Sequence, residues 1–254
     1  MKILRNIMVL GAVAAVLSSC SENEYKVYDT TQKDSVFFNY VNDRNEVVST
    51  YDYAFNFDIS NHYTLSIPVS VMGSIKSYDR PVNVRLDADG STMIEGTHFN
   101  ILEASIPAGA TEGVVKIDLL RDRDPNLLTQ AVSGRFYIGE NDDLRSVKGS
   151  EFTVTYSDIR PESRPAWWLE GTTTQFPVYS YENAQLFFDY FYRLVPEANI
   201  DRFNEIIETY GDYFVNAQSV QGPFTMYGPF LVKYVCIPLH EDYPEMEFYK
   251  DPTL

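Results

Sequence analysis

Cysteine and histidine are scarce in this chain: two cysteines and three histidines in 254 residues. The histidines, His62, His98 and His240, are isolated from one another. No H-E-x-x-H, no G-x-S-x-G, no paired Cys/His metal spacing and no glycine loop for phosphate is present. Basic residues are few as well, 20 Lys and Arg against 36 Asp and Glu, for a formal net charge of -16. A nucleic-acid partner is therefore not expected, because phosphate binding needs a basic footprint. Electrostatic docking on anionic lipid is disfavoured for the same reason. No cofactor is expected, no metal site and no catalytic residue. A two-carboxylate glycan hydrolase would need one pair of acids in register. Acids are plentiful, but nothing singles out a pair, so that reading ranks last.

What is present at the start is a short apolar run. Lys2 and Arg5 precede it, and Ile7 to Leu17 has secretory-signal length, too short to span a bilayer comfortably. The run ends in "AVLSSC", residues 15–20. Leu17-Ser18-Ser19-Cys20 resembles a lipobox, where bacterial processing attaches diacylglycerol to the cysteine and cleaves before it. Cys20 is then the lipidation site, and residues 1–19 are the signal peptide. Acyl chains contribute ~0.8 kcal/mol per buried methylene, so several together hold a protein at a membrane. With Cys20 so used, Cys236 in "KYVCIPL" has no intrachain partner and reads as a buried, inert thiol. Residues 20–34 are polar and read as a tether. Glu22 and Glu24 resemble the acidic surface-export signal of Bacteroidota lipoproteins. An outer-membrane protein facing the cell surface is expected.

Residues 35–158 alternate with period two. Tyr51, Tyr53, Phe55, Phe57 and Ile59 fall on one face. So do Leu65, Ile67, Val69 and Val71, then Val82, Val84 and Leu86, Val115, Ile117 and Leu119, and Phe152, Val154 and Tyr156. Turn signals separate these runs at Met72-Gly73-Ser74, Asp89-Gly90-Ser91, Pro107-Ala108-Gly109 and Asp124-Pro125-Asn126. The pattern predicts an immunoglobulin-like β-sandwich. Residues 82–122 resemble the Calx-beta strand pattern, with Val82 and Val84 in the first strand, Gly96-Thr97-His98-Phe99 at the turn, and Val115, Ile117 and Asp122 closing it. That resemblance implies calcium ligands at the turn. His98 stands where the turn aspartate would be, and imidazole is a poor ligand for calcium.

Composition shifts at "SDIRPESRPAWW", which reads as a hinge before a smaller α+β region, residues 159–254. Ser180 is placed to cap a helix running through Glu182 to Leu194, and Asn199 a second one. Ile200, Phe203, Ile206, Ile207, Tyr210 and Phe214 form its apolar stripe, with Gly211 either ending or interrupting it. Residues 223–239, apolar and broken by prolines, are expected to hold one strand. The fold expected overall is mainly β.

Lipobox, Calx-beta-like segment, then Trp168 and a Tyr179-Ser180 helix start are together similar to Bacteroidota lipoproteins of the domain-of-unknown-function 4843 family. Val178 and Asn183 depart from the Gly and Lys that flank Tyr-Ser in that pattern. The resemblance implies a non-enzymatic accessory to outer-membrane glycan import, with glycan or import proteins as partners. Exposed aromatics would bind sugar by stacking, and Trp167, Trp168, Tyr179 and Tyr181 are the ligand-binding candidates. Adjacent tryptophans beside a hinge are more often used for packing, so at least one of the two is expected to be buried there. The alternative function is a structural or adhesion lipoprotein of fimbrillin-like kind, assembling by strand exchange.

Overall fold

A computed structural model describes residues 32–42, 44–218 and 222–254. The lipobox, Cys20 and most of the tether lie outside the described residues. Asp34–Leu254 forms one compact unit. It is mainly β with helices at its C-terminal end.

The strands are β1 (Asp34–Phe38), β2 (Tyr40–Val41), β3 (Val47–Val48), β4 (Thr50–Ala54), β5 (His62–Met72), β6 (Arg80–Pro81), β7 (Asn83–Leu86), β8 (Phe99–Ile106), β9 (Glu112–Leu120), β10 (Val132–Gly139), β11 (Leu144–Ser146) and β12 (Glu151–Ser157). One sheet has the order β11-β1-β5-β9-β8-β6 and a second β4-β12-β10-β7, while β2 and β3 form a small ribbon. Most pairs are antiparallel; β1 with β11 and β12 with β4 run parallel. The two larger sheets share one core. Phe38 meets Phe152 and Phe99 meets Phe136 across it, with ring centroids 5.6 and 5.0 Å apart.

Alternation explains this core. In β5, Leu65, Ile67, Val69 and Val71 are buried while their neighbours point outward, as a pleated strand with one covered face requires. Val115, Ile117 and Leu119 of β9, and Phe152, Val154 and Tyr156 of β12, do the same. Gly96 and Gly109 adopt φ of 77° and 78°, the left-handed region that suits glycine at turns. His98 is buried at the first of these turns. Its Nδ1 accepts from the Ile94 amide at 2.9 Å, which leaves Nε2 to donate to Asp124 at 2.9 Å. The imidazole thus staples two loops of the sheet edge.

Beyond Ser157 there is no strand among the described residues. A long connection leads to α1 (Tyr181–Ala198), α2 (Ile200–Tyr210), a short turn at Asp212–Phe214, then α3 (Pro223–Leu231), a π-helical stretch Val232–Cys236 and α4 (Ile237–Asp242). Ser180 caps α1 by accepting from the Asn183 amide, Asn199 caps α2 by accepting from that of Arg202, and Gly211 ends α2. The strand expected within 223–239 is not there, and this region is helical rather than α+β. Pro223 occupies the first turn of α3, where its missing N–H costs nothing. Leu231, Val235, Cys236 and Leu239 form a buried helical stripe that packs on α1. Burial of that stripe outweighs the local β preference of the valines and aromatics. The Cys236 thiol is fully buried, which pushes it well above the usual thiol range. No helix among the described residues is long and apolar enough to cross a membrane.

Candidate functional site

The helices make a second apolar core, and one strand end joins it to the first. Tyr51 and Tyr53 leave β4 on one face, as the alternation predicts. The strand stops at Ala54, and Asn56 turns the chain with φ 47°. Phe55 consequently enters the core between the sheets, whereas Phe57 enters the helical core and stacks on Phe188 at 5.4 Å. Ile59, expected on the same face, is exposed.

This turn is held from several sides. The Tyr53 hydroxyl donates to Asp58 Oδ2 at 2.8 Å. The Arg121 Nη1 donates to the carbonyls of Asp58 and Ser60, and its Nη2 to Asp158 Oδ1 at 2.7 Å. From α1, Gln185 donates to the Asp58 carbonyl at 2.7 Å and the Tyr181 hydroxyl donates to that of Asn56.

Opposite the turn stands the segment Asp212–Phe214. Tyr213 and Phe214 have φ of 51° and 56°, left-handed values rare for side chains of this size. Each such residue costs of order 1–3 kcal/mol and persists only where the surroundings impose it. Here the fully buried Phe214 ring fixes one residue. Tyr192 fixes the other, accepting from the Tyr213 amide at 2.9 Å and donating to Asp212 Oδ1 at 3.2 Å.

Between turn and segment lies a cleft of about 430 Å³. Tyr51, Tyr53 and Tyr63 form its sheet wall, with Tyr53 and Tyr63 stacked at 3.9 Å. Tyr192 and Tyr213 form its helix wall, and Asp52, Asp58 and Asp212 also line it. Two further recesses, of about 320 and 420 Å³, adjoin it through Asp58 and Tyr213 on one side and Asn56 and Tyr213 on the other. Burial holds the phenols of Tyr51, Tyr53, Tyr192 and Tyr213 well above the usual tyrosine range. Hydrogen bonding adds to this at Tyr51, through Tyr63, and at Tyr53, through Asp58. At neutral pH the cleft therefore offers phenol donors, carboxylate acceptors and aromatic faces. Among the described residues, its lining has no cysteine, histidine, serine or lysine.

None of the four residues expected to bind ligand lines the cleft itself, but Trp167 lines the adjoining recess of about 420 Å³. Trp168 is fully buried, donating from Nε1 to the Pro177 carbonyl at 3.1 Å. Trp167 is 5% exposed and packs edge-on against Phe188, Phe214 and Phe224. The helical core closes over Trp168, whereas Trp167 packs into the same core and borders the recess that adjoins the cleft. Tyr179 meets Trp168 at 5.5 Å and borders a separate recess beside Tyr243. The Tyr181 ring lies between Arg160 and Phe57, and its hydroxyl is used in the clamp on Asn56. Trp168 and Tyr179 are thus in contact, but the four do not form one open surface. The tyrosine cleft was missed because its walls come from β4, β5, α1 and the turn after α2. The only trace of it in sequence is the Tyr51/Tyr53 alternation.

Solved structures overlap part of this chain. A two-domain Bacteroides fragilis protein of unknown function has a TM-score of 0.36 at 18% identity, covering 50% of this chain and 46% of its own. A Bacteroides ovatus protein described as a candidate carbohydrate-binding protein has a TM-score of 0.36 at 11% identity, covering 49% and 37%. Another Bacteroides ovatus protein, of unknown function, has a TM-score of 0.34 at 15% identity, covering 48% and 43%. This chain thus spans less than half the length of each. Among curated proteins none matches. The family model of a domain of unknown function, DUF4843, matches residues 28–191, well over half of the sequence, and the chain belongs to that family.

Proposed function

We propose that this protein is a non-enzymatic glycan-binding lipoprotein and that the tyrosine cleft is its binding site. Two facing sheets, arranged as an immunoglobulin-like scaffold, carry one wall, and the helices carry the other. Acyl chains on Cys20 hold the protein at the outer membrane, facing the cell surface, where it assists glycan capture for import proteins.

The observation that carries this reading is the cleft's composition. Aromatic faces stack on the apolar faces of sugar rings, and a few fixed polar groups orient a ligand within an otherwise apolar pocket. Tyr51, Tyr53, Tyr63, Tyr192 and Tyr213 supply the first, and Asp58 and Asp212 the second. The strained Tyr213 and the clamped Asn56–Asp58 turn favour a preformed site, which lowers the ordering cost of binding.

A glycan array probed with the full chain tests the site. Retention of at least one glycan by the wild type, lost in Tyr213→Ala while circular dichroism stays native, supports it. An array with no retained glycan contradicts it. Membrane fractionation of Cys20→Ala tests the anchor: the variant should be released or remain unprocessed, and membrane-bound, acylated Cys20→Ala overturns it.

A further inference from the structure

The charges around the cleft are one-sided. Asp52, Asp58 and Asp212 line it. Among the described residues, Asp58 is bonded to the Tyr53 hydroxyl and the Ser60 amide, and Asp212 to the Tyr192 hydroxyl. None of these partners is a cation. Three arginines nearby are matched by carboxylates, and a fourth, Arg160, lies outside the cleft over the Tyr181 ring. Arg193 in one side recess pairs with Asp189 at 3.6 Å and lies over the Tyr190 ring. Arg164 in the other pairs with Glu170 at 3.0 Å and also donates to the Trp168 carbonyl. Arg121, behind the Asn56–Asp58 turn, is buried against Asp158. Among the described residues, the cleft's own lining therefore holds three carboxylates and no Lys or Arg.

The tyrosine walls act in the same direction. An aromatic face attracts a cation through its quadrupole, and that attraction grows as the site loses water. Half-buried phenols kept protonated by their surroundings present such faces at neutral pH. Aromatic rings and carboxylates around one cavity together make a cation-accepting site. The same groups repel a carboxylate or sulfate on a ligand, which would have to be desolvated beside like charge.

Resting on the reading of this cleft as a glycan site, we infer that its ligand is an amino-bearing glycan and that uronic-acid and sulfated glycans are excluded. The ammonium sits among Asp58, Asp212 and the tyrosine faces, and the apolar sugar face lies on a ring.

Calorimetry on the full chain tests this with four probes of equal length: glucosamine oligomers, N-acetylglucosamine oligomers, oligogalacturonate and oligolysine. The pH is set so that the glucosamine amine is protonated. The glucosamine oligomer should bind on the order of tenfold tighter than its acetylated form, as close unlike charges near a protein surface predict. That ratio should shrink on raising salt, because screening acts on the charge term alone. Asp212→Asn should narrow the ratio as well. Galacturonate should not bind. Equal affinities for the amino and acetylated oligomers, or binding of galacturonate, would overturn the charge preference while leaving a glycan site. Oligolysine binding tighter than glucosamine would overturn the sugar and point to a basic peptide. Failure of all four probes would overturn the inference, while the glycan reading falls only if the array also retains nothing.

Discussion

Arg121 and Asp158 form a buried ion pair, 2.7 Å from Nη2 to Oδ1, with side chains only 7% and 6% exposed. Arg121 follows β9, and Asp158 ends the run of strands. From that position the guanidinium also reaches the carbonyls of Asp58 and Ser60 and the Tyr181 hydroxyl at the start of α1. Sheet, turn and helix thus meet at one cation.

Removing one partner of such a pair strands the other charge in a place that water does not reach. Asp158→Ala is expected to cost ~3–5 kcal/mol, measured by urea denaturation. The turn that carries Asn56 and Asp58 should loosen at the same time, seen as faster amide exchange there. A variant with wild-type stability would show that the pair is not what holds the junction.

Trp168→Ala removes a fully buried indole from the helical core and leaves a cavity that the surrounding rings cannot close. The expected loss is ~3–5 kcal/mol, again by chemical denaturation. A sugar-stacking tryptophan would instead be dispensable for folding, so an unchanged midpoint would reopen the stacking role for this residue.

Much of this architecture was legible in the residues. The Leu65 to Val71 alternation fixes which face of β5 is covered, since a strand's side chains must alternate. Ser180, Asn199 and Gly211 mark helix ends because each satisfies or terminates backbone groups locally. The helices from Pro223 onward were hidden for the opposite reason: their apolar stripe is interrupted by prolines, of which Pro223 and Pro238 sit at helix starts and Pro229 lies just past a kink at Tyr227. The cleft was harder still. Asn56 breaks the Tyr51 to Ile59 alternation through a backbone turn that no side-chain period reports. Tyr192 and Tyr213 then join Tyr53 from more than a hundred residues away. Trp167 and Trp168 drew attention as the only tryptophans, but rarity says nothing about which side of a core a ring will face.

Alkaline pH should weaken the fold through the cleft tyrosines. Tyr51, Tyr53, Tyr192 and Tyr213 are held above the usual range mainly by burial, so they stay protonated in the folded chain after an unfolded tyrosine, with pKa ~10, has ionised. A folded value above the unfolded one means that this contribution is complete below about pH 10 and declines as pH rises beyond it. The urea midpoint should fall above that pH, with phenolate absorbance from these residues appearing only on unfolding. A flat midpoint, with full ionisation of the native chain at ordinary tyrosine pH, would contradict the buried-phenol description.

The most direct test of the cleft as the binding site is amide hydrogen exchange on the full chain, with and without a glycan retained by the array. Slowing should concentrate in residues 51–58 and 212–215, the two segments that face each other across the tyrosines. Slowing confined to 178–186 and 243–247, around the recess beside Tyr179, would place the ligand elsewhere and contradict the account.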